Sequence, residues 1–178
     1  MGKRENTHQQ LLESVHKNFR KLGYDGAGVD GLAAAAGVSS GAFYSHFGSK
    51  AQAFRESISI GIHQFEEVVK HYQEEYGKDW LKQFSKFYLV EKRNCDLSES
   101  CALQSLSTEV ARSDEETRAI FQSELLKAAE TFSAGMKSTA DTWPVIATLI
   151  GGTILARAVK DKKLADQIAS SIQRSLEK

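Results

Sequence analysis

Two stretches of this sequence hold residues whose types and spacing could do chemistry. The first runs from Val29 to Lys50 and contains Ser39, Ser40, Gly41 and Ala42, then Tyr44, His46 and Lys50. Small hydroxyl and small apolar side chains in a row suit close approach to base edges, where bulk would be excluded. Tyr44 and His46 can hydrogen-bond phosphate oxygens, and Lys50, with the N–H groups at a following helix start, can hold another phosphate. The second stretch carries Cys95 and Cys101. A cysteine at a helix N-terminus gains thiolate character from the helix dipole, which makes Cys101 a candidate oxidant or electrophile sensor. The same residue also reads as a small apolar side chain packed in a core. A disulfide to Cys95 requires the intervening loop to bend back.

Other chemistries are not indicated. There is no HExxH, paired CxxC, phosphate loop or Gly-x-Ser-x-Gly. No catalytic residue, metal site or cofactor is therefore expected. His8, His16, His46, His63 and His71 read as surface or DNA-facing; His63 and His71 stand eight residues apart, too far for a two-ligand clip on one helix.

The elements that must position these residues follow from periodicity and caps. Leu11, Leu12, Val15, Phe19 and Leu22 recur at helical spacing, and Gly23 stops that helix. A short alanine-rich helix spans about 31–36, with Asp30 near its start. Gly37-Val38-Ser39 forms a tight turn, Ser39 or Ser40 caps a third helix over about 41–47, and Ser49 caps a long one over about 50–76. Two short helices joined by a glycine turn, the second opening on small hydroxyl residues, have the geometry of a helix-turn-helix. Further helices are expected at about 80–93, 98–112, 115–137, 144–159 and 162–176. The helix over 144–159 is apolar on more than one face and holds Gly151-Gly152. Its surface fits either a four-helix dimer interface or an ordinary buried core.

With one proline, 41% hydrophobic residues and 178 positions, the chain can form long helices around a substantial core, so the fold class is all-α. Its 23 basic residues balance 23 acidic ones, which argues against unspecific wrapping of nucleic acid, yet residues 1–55 carry seven bases against four acids. The charged opening of the sequence lacks an export signal, no apolar run reaches membrane-spanning length, and two cysteines suit a reducing compartment. A cytoplasmic protein without membrane contact is expected.

Gly23-Tyr24, Leu32 to Gly37 (LAxxAG), Val38 to Phe47 (VSxGxFYxHF) and Ser49-Lys50 resemble the TetR/AcrR family of bacterial transcriptional regulators. Val29-Asp30-Gly31 replaces the family's frequent threonine-rich opening of the second helix, which leaves one phosphate contact unassigned. The resemblance implies a TetR-like fold of about nine helices: an N-terminal three-helix helix-turn-helix domain (1–49), and a C-terminal helical domain for effector binding and dimerisation (50–178). It implies double-stranded operator DNA, a homodimer built by the last two helices and a small-molecule effector as partners. Ser100 to Leu106 with Glu109 is similar to the GCxxxxLxxE segment of a subgroup that includes electrophile- or flavonoid-responsive repressors, with Ser100 in place of the glycine.

The effector and sensor candidates are Cys101, Phe65, Phe84, Tyr88, Gln104 and Phe121. The aromatics could equally be core, and the polar groups available beside them are His63, Gln104, Glu109 and Gln122. The function expected is a repressor released from its operator by a small molecule or by an electrophile or oxidant. The competing readings are a constitutive DNA-binding regulator and an enzyme bearing a chance helical motif.

Overall fold

A computed structural model describes residues 3–177; Met1 and Gly2, where the charged opening begins, and Lys178 lie outside the described residues. Among the described residues the chain is helical and without strands. Its helices are α1 (Lys3–Gly26), α2 (Val29–Ala35), α3 (Ser40–Phe47), α4 (Lys50–Tyr76), α5 (Trp80–Lys86), α6 (Ala102–Ser105), α7 (Ser107–Val110), α8 (Glu115–Ala134), α9 (Thr142–Ala158) and α10 (Lys162–Leu176). The single turns α6 and α7 meet at Leu106; taken as one broken helix, they give the nine helices expected of a TetR-like fold. No helix among these residues is long and apolar enough to cross a membrane.

The residues form two compact units that do not follow chain order: 1–62 with 96–124, and 63–95 with 125–178. The first unit is built on the apolar stripe of α1. Leu11, Val15 and Phe19 are buried, as are Leu32, Phe43, Phe47, Phe54 and Ile58. Gly23, at φ 72° and ψ 176°, breaks α1 where a glycine was expected to end it, and the chain makes another turn of helix as far as Gly26. Phe19, Tyr24 and Phe54 then form a ring trio, with Tyr24 and Phe54 centroids 4.9 Å apart, which pins the end of α1 to the start of α4.

His16 corrects the expectation of surface histidines. It is buried, and its Nδ1 shares a 2.8 Å hydrogen bond with Ser57 Oγ of α4. Room for the ring exists because Gly61 has no side chain: a Cβ there would lie 2.6 Å from His16 Cε1 and would also strike Ala102 Cβ. Gly61→Ala should therefore destabilise the protein by about 1–3 kcal/mol, although the same change in an open helix stabilises by about 1 kcal/mol. Urea unfolding checks the sign.

The second unit is centred on aromatic rings. Phe84 of α5 lies between Phe65 and Tyr72 of α4, Trp80, Tyr88 and Phe132 of α8, with centroid separations of 5.6–6.1 Å. Trp80 Nε1 donates to Gly135 O at 2.6 Å and so satisfies the indole's only polar group. The helix of α5 continues as a π-helix over Phe87–Lys92, a segment that no sequence pattern announced. Arg157 of α9 closes it by donating to Lys92 O (2.6 Å) and Cys95 O (2.7 Å).

The helix expected over 98–112 is broken. A 3-10 turn at Leu97–Glu99 precedes α6 and α7, and Ser105 and Ser107 hydroxyls donate to Cys101 O and Leu103 O. Hydroxyls that bond nearby carbonyls compete with the helical ladder, which explains the interruption in a serine-rich stretch. The helix expected to reach 137 ends at Ala134. Near the C-terminus, Gly152 of α9 lets Ile172 of α10 approach so closely that a Cβ would strike its side chain, whereas nothing lies within 4 Å of a Cβ on Gly151.

Candidate nucleic-acid interface

The site residues on α3 are held by three local devices. Gly37, at φ 70°, turns the chain between α2 and α3. Ser39 caps α3, accepting from Ala42 N at 3.2 Å, which uses one lone pair of its hydroxyl and fixes where the oxygen sits. Phe43 and Phe47 are buried one turn apart, which fixes the helix's inner face and leaves Ser39, Gly41 and Tyr44 exposed. Tyr44 is 50% exposed, unusual for a large ring without a partner surface, and Ala42 is half-buried.

Ser40 was expected to offer a hydroxyl to bases. Its Oγ donates instead to Asp30 Oδ1 of α2 at 2.5 Å, across the turn. Asp30 was read only as a helix-start residue, yet the N-cap of α2 is Gly28 with no side-chain cap bond. The signal available in the sequence was a carboxylate and a hydroxyl in the first turns of two successive short helices.

His46 faces away from Tyr44, two residues along the helix. It lies against α1, with its ring centroid 5.5 Å from that of His8, in a groove of about 460 Å³ that Glu5, Gln9 and Leu12 also line. His8 in turn bonds Glu56 of α4 at 2.9 Å. Ser49 caps α4 by accepting from Gln52 N at 3.0 Å. Lys50, the first residue of α4, places its ammonium 4.3 Å from the Tyr24 ring centroid, a cation–π contact that orients the charge. Burial first, then the charges of Asp114 and Asp25, holds the Tyr24 phenol above its ordinary pKa, so the ring beneath Lys50 stays neutral.

A second charge cluster anchors the start of α4, and sequence reading had only counted its arginine. Arg55 donates from Nε to Thr117 Oγ1 (3.1 Å) and from Nη2 to Asp114 (3.2 Å), and its Nη1 pairs with Glu116 at 2.8 Å. Asp114 caps α8 by accepting from Thr117 N at 2.7 Å. That backbone bond is the chief cause holding its carboxyl below the usual range, followed by the Thr117 side chain and Arg55. A depressed folded pKa gives stability that is complete above the unfolded value and is lost as pH falls through the folded one. Asp114→Asn should thus be less stable than the parent at pH 7, with the gap closing below about pH 4. Thermal melts at pH 7 and pH 3 would read it, and a gap unchanged by pH would refute the assignment.

The sensor candidates divide between the units. Phe65, Phe84 and Tyr88 are brought together in the second, as members of the buried ring cluster described above. Cys101, Gln104 and Phe121 belong to the first. Cys101 is 8% exposed at the N-cap of α6, a helix of only four residues with little dipole to offer. Gln104 is buried, and neither its amide nitrogen nor its oxygen has a hydrogen-bond partner. Phe121 is half-buried, and His63 and Gln122 are exposed. Among the described residues, no group of three His, Cys, Asp or Glu side chains is placed to hold a metal.

Residues 11–56 match the family model described as bacterial regulatory proteins, tetR family. No curated protein matches the sequence. The fold is similar over nearly its whole length to that of a TetR-family regulator from Cytophaga hutchinsonii, at 18% identity with TM-score 0.80, covering 99% of this chain and 96% of that one. A TetR-family regulator from Agrobacterium tumefaciens aligns at 14% identity with TM-score 0.79, covering 97% of each chain. The reduced form of E. coli NemR aligns at 17% identity with TM-score 0.73, covering 95% and 96%. At these identities the solved structures establish the fold; the family match lies on α1 to α4, the helices that build the interface. The match thus assigns residues 11–56 to the region described by the tetR-family model, and the chain as a whole has the fold of TetR-family regulators.

Proposed function

We propose that this protein is a homodimeric repressor that occupies a palindromic operator and leaves it when an effector binds. The observation that carries the DNA-binding part is α3: a buried Phe43–Phe47 face holds the helix, and its outer face is exposed, with Tyr44 half out in solvent. Inserted first turn foremost into a major groove, that face meets base edges with Ser40, Gly41 and Ala42, and phosphates with Tyr44 and Lys50. Ser39 contributes backbone and cap, and His46 contributes to the flank nearest α1. On this reading residues 1–49 bind DNA and residues 50–178 bind effector and partner.

The dimer is supported by α9. Ala147, Gly151, Ile154, Leu155 and Ala158 follow one another at helical spacing without a charge, and all are exposed or half-exposed. Leu155 is 61% exposed, as a residue awaiting a second copy would be. Two recognition helices must then lie about 34 Å apart to enter successive grooves. An effector acts by favouring a spacing that cannot.

The effector reading leans on Gln104. A buried amide with both atoms unbonded asks for a partner, and Cys101 is three residues away. One protein of this fold was solved in a form named as reduced, which makes thiol oxidation the first effector chemistry to try. The chain is read as a regulator with no catalytic residue, in the cytoplasm and without cofactor.

The experiment is a fluorescence-anisotropy titration of the purified protein on DNA upstream of its own gene, with and without a mild thiol oxidant. Sequence-specific binding that is lost on oxidation and kept in Cys101→Ser supports the thiol-released repressor. Specific binding that no oxidant or small apolar ligand alters supports a constitutive regulator, and absence of specific binding overturns the repressor.

A further inference from the structure

We infer that Asp30 and Ser40 together form a hydrogen-bond-accepting edge that selects a cytosine in each operator half-site. The inference rests on the DNA-binding reading above, in which the first turn of α3 enters the major groove.

The chemistry follows from one bond. A serine hydroxyl has one hydrogen to donate and two lone pairs to accept with. Ser40 spends its hydrogen on Asp30 Oδ1 at 2.5 Å. The Ser40 oxygen can then only accept, and the remaining capacity of the Asp30 carboxylate is also for accepting. Asp30 is exposed and Ser40 half-buried, so the pair is open to a groove. Of the neighbours, Ser39 turns one oxygen lone pair to Ala42 N and keeps a hydroxyl hydrogen, Gly41 has no side chain and Ala42 carries a methyl group, so Asp30 and Ser40 supply the accepting edge and Ser39 is the one adjacent donor.

Major-groove edges sort cleanly against such a surface. Guanine presents two acceptors, N7 and O6, and thymine an acceptor and a methyl group, so neither can bond to it. Adenine offers the N6 amino group, but its N7 acceptor lies beside it and faces the carboxylate. Cytosine offers the N4 amino group without an adjacent acceptor on the same base, the pairing for which acidic side chains are suited. A carboxylate beside phosphates costs affinity, and the cost is offset only when the right base is present.

Removing Asp30 has a distinctive signature. In Asp30→Ala the Ser40 hydroxyl can rotate and donate, which admits guanine and thymine, while loss of the negative charge raises affinity for unrelated DNA. In Ser40→Ala the preference weakens and affinity for unrelated DNA does not rise.

The test is selection from a random duplex library with full-length wild type, Asp30→Ala, Ser40→Ala and the double variant, followed by anisotropy at fixed salt on the selected sites. The expected result is one position per half-site where wild type prefers cytosine by about tenfold. At that position alone, Asp30→Ala falls to within about threefold among the bases, and the double variant shows no loss beyond the singles. A wild type that selects a specific site with no such cytosine overturns the inference and leaves the DNA-binding reading standing. So does an Asp30→Ala variant that binds every sequence more weakly and keeps the wild-type preference. A wild type that selects no sequence at all overturns both.

Discussion

Phe84→Ala is expected to destabilise the protein by about 3–5 kcal/mol, the range for truncating a large aromatic in a closed core. Phe84 is 1% exposed and meets Phe65, Tyr72, Trp80, Tyr88 and Phe132 with centroid separations no greater than 6.1 Å. Its loss removes the transfer free energy of one ring and leaves a cavity whose walls belong to three helices and relax only in part. Denaturant unfolding reads the effect as a lower midpoint at unchanged slope. The size of the loss also bears on effector binding. The three rings are buried and in mutual contact, so a ligand that used Phe65, Phe84 and Tyr88 would need them to swing apart first. A loss below about 1 kcal/mol would mean that the cluster repacks at little cost, and would favour a pocket in the second unit. The expected loss instead directs the search to Cys101 and Gln104, where a buried amide lacks a partner.

What the sequence disclosed and what it withheld divide along a physical line. The α3 segment was legible because its determinants are local: Gly37 for the turn, Ser39 for the cap, Phe43 and Phe47 for the buried face. The long helix α4 was legible for the same reason, from Gly48-Ser49 before it and Gly77 after it. The 97–110 stretch was not, because there serine hydroxyls contest the backbone carbonyls, and periodicity does not weigh that contest. Pairings across distance were withheld altogether. Neither His16 with Ser57, 41 residues on, nor Arg55 with Thr117, 62 residues on, leaves a trace in either partner's neighbourhood in sequence. The Ser40–Asp30 bond spans only ten residues, but both side chains had another credible local use as caps. Sequence therefore nominated residues for the candidate interface and missed the contacts that decide what each can offer a partner.

Lys50→Ala is expected to weaken binding to every DNA sequence, by about tenfold for each lost phosphate contact at low salt, and to lower the slope of log K against log salt by about 0.9 for each. The structure gives the lysine two features that a mobile surface cation lacks. It opens α4, where unpaired backbone N–H groups favour a phosphate, and its ammonium is held 4.3 Å from the Tyr24 centroid. Tyr24 is itself fixed by Phe19 and Phe54, so the charge is aimed before DNA arrives and little side-chain entropy remains to be lost. The prediction has an internal control. Tyr24→Leu removes the ring and leaves the charge, so affinity should fall while the salt slope stays at the wild-type value. Titrations of wild type and both variants at 50, 100 and 200 mM salt separate the two effects. If Lys50→Ala kept the wild-type slope, the ammonium would have no phosphate partner, and its place on the Tyr24 ring would be purely a device for holding α1 to α4.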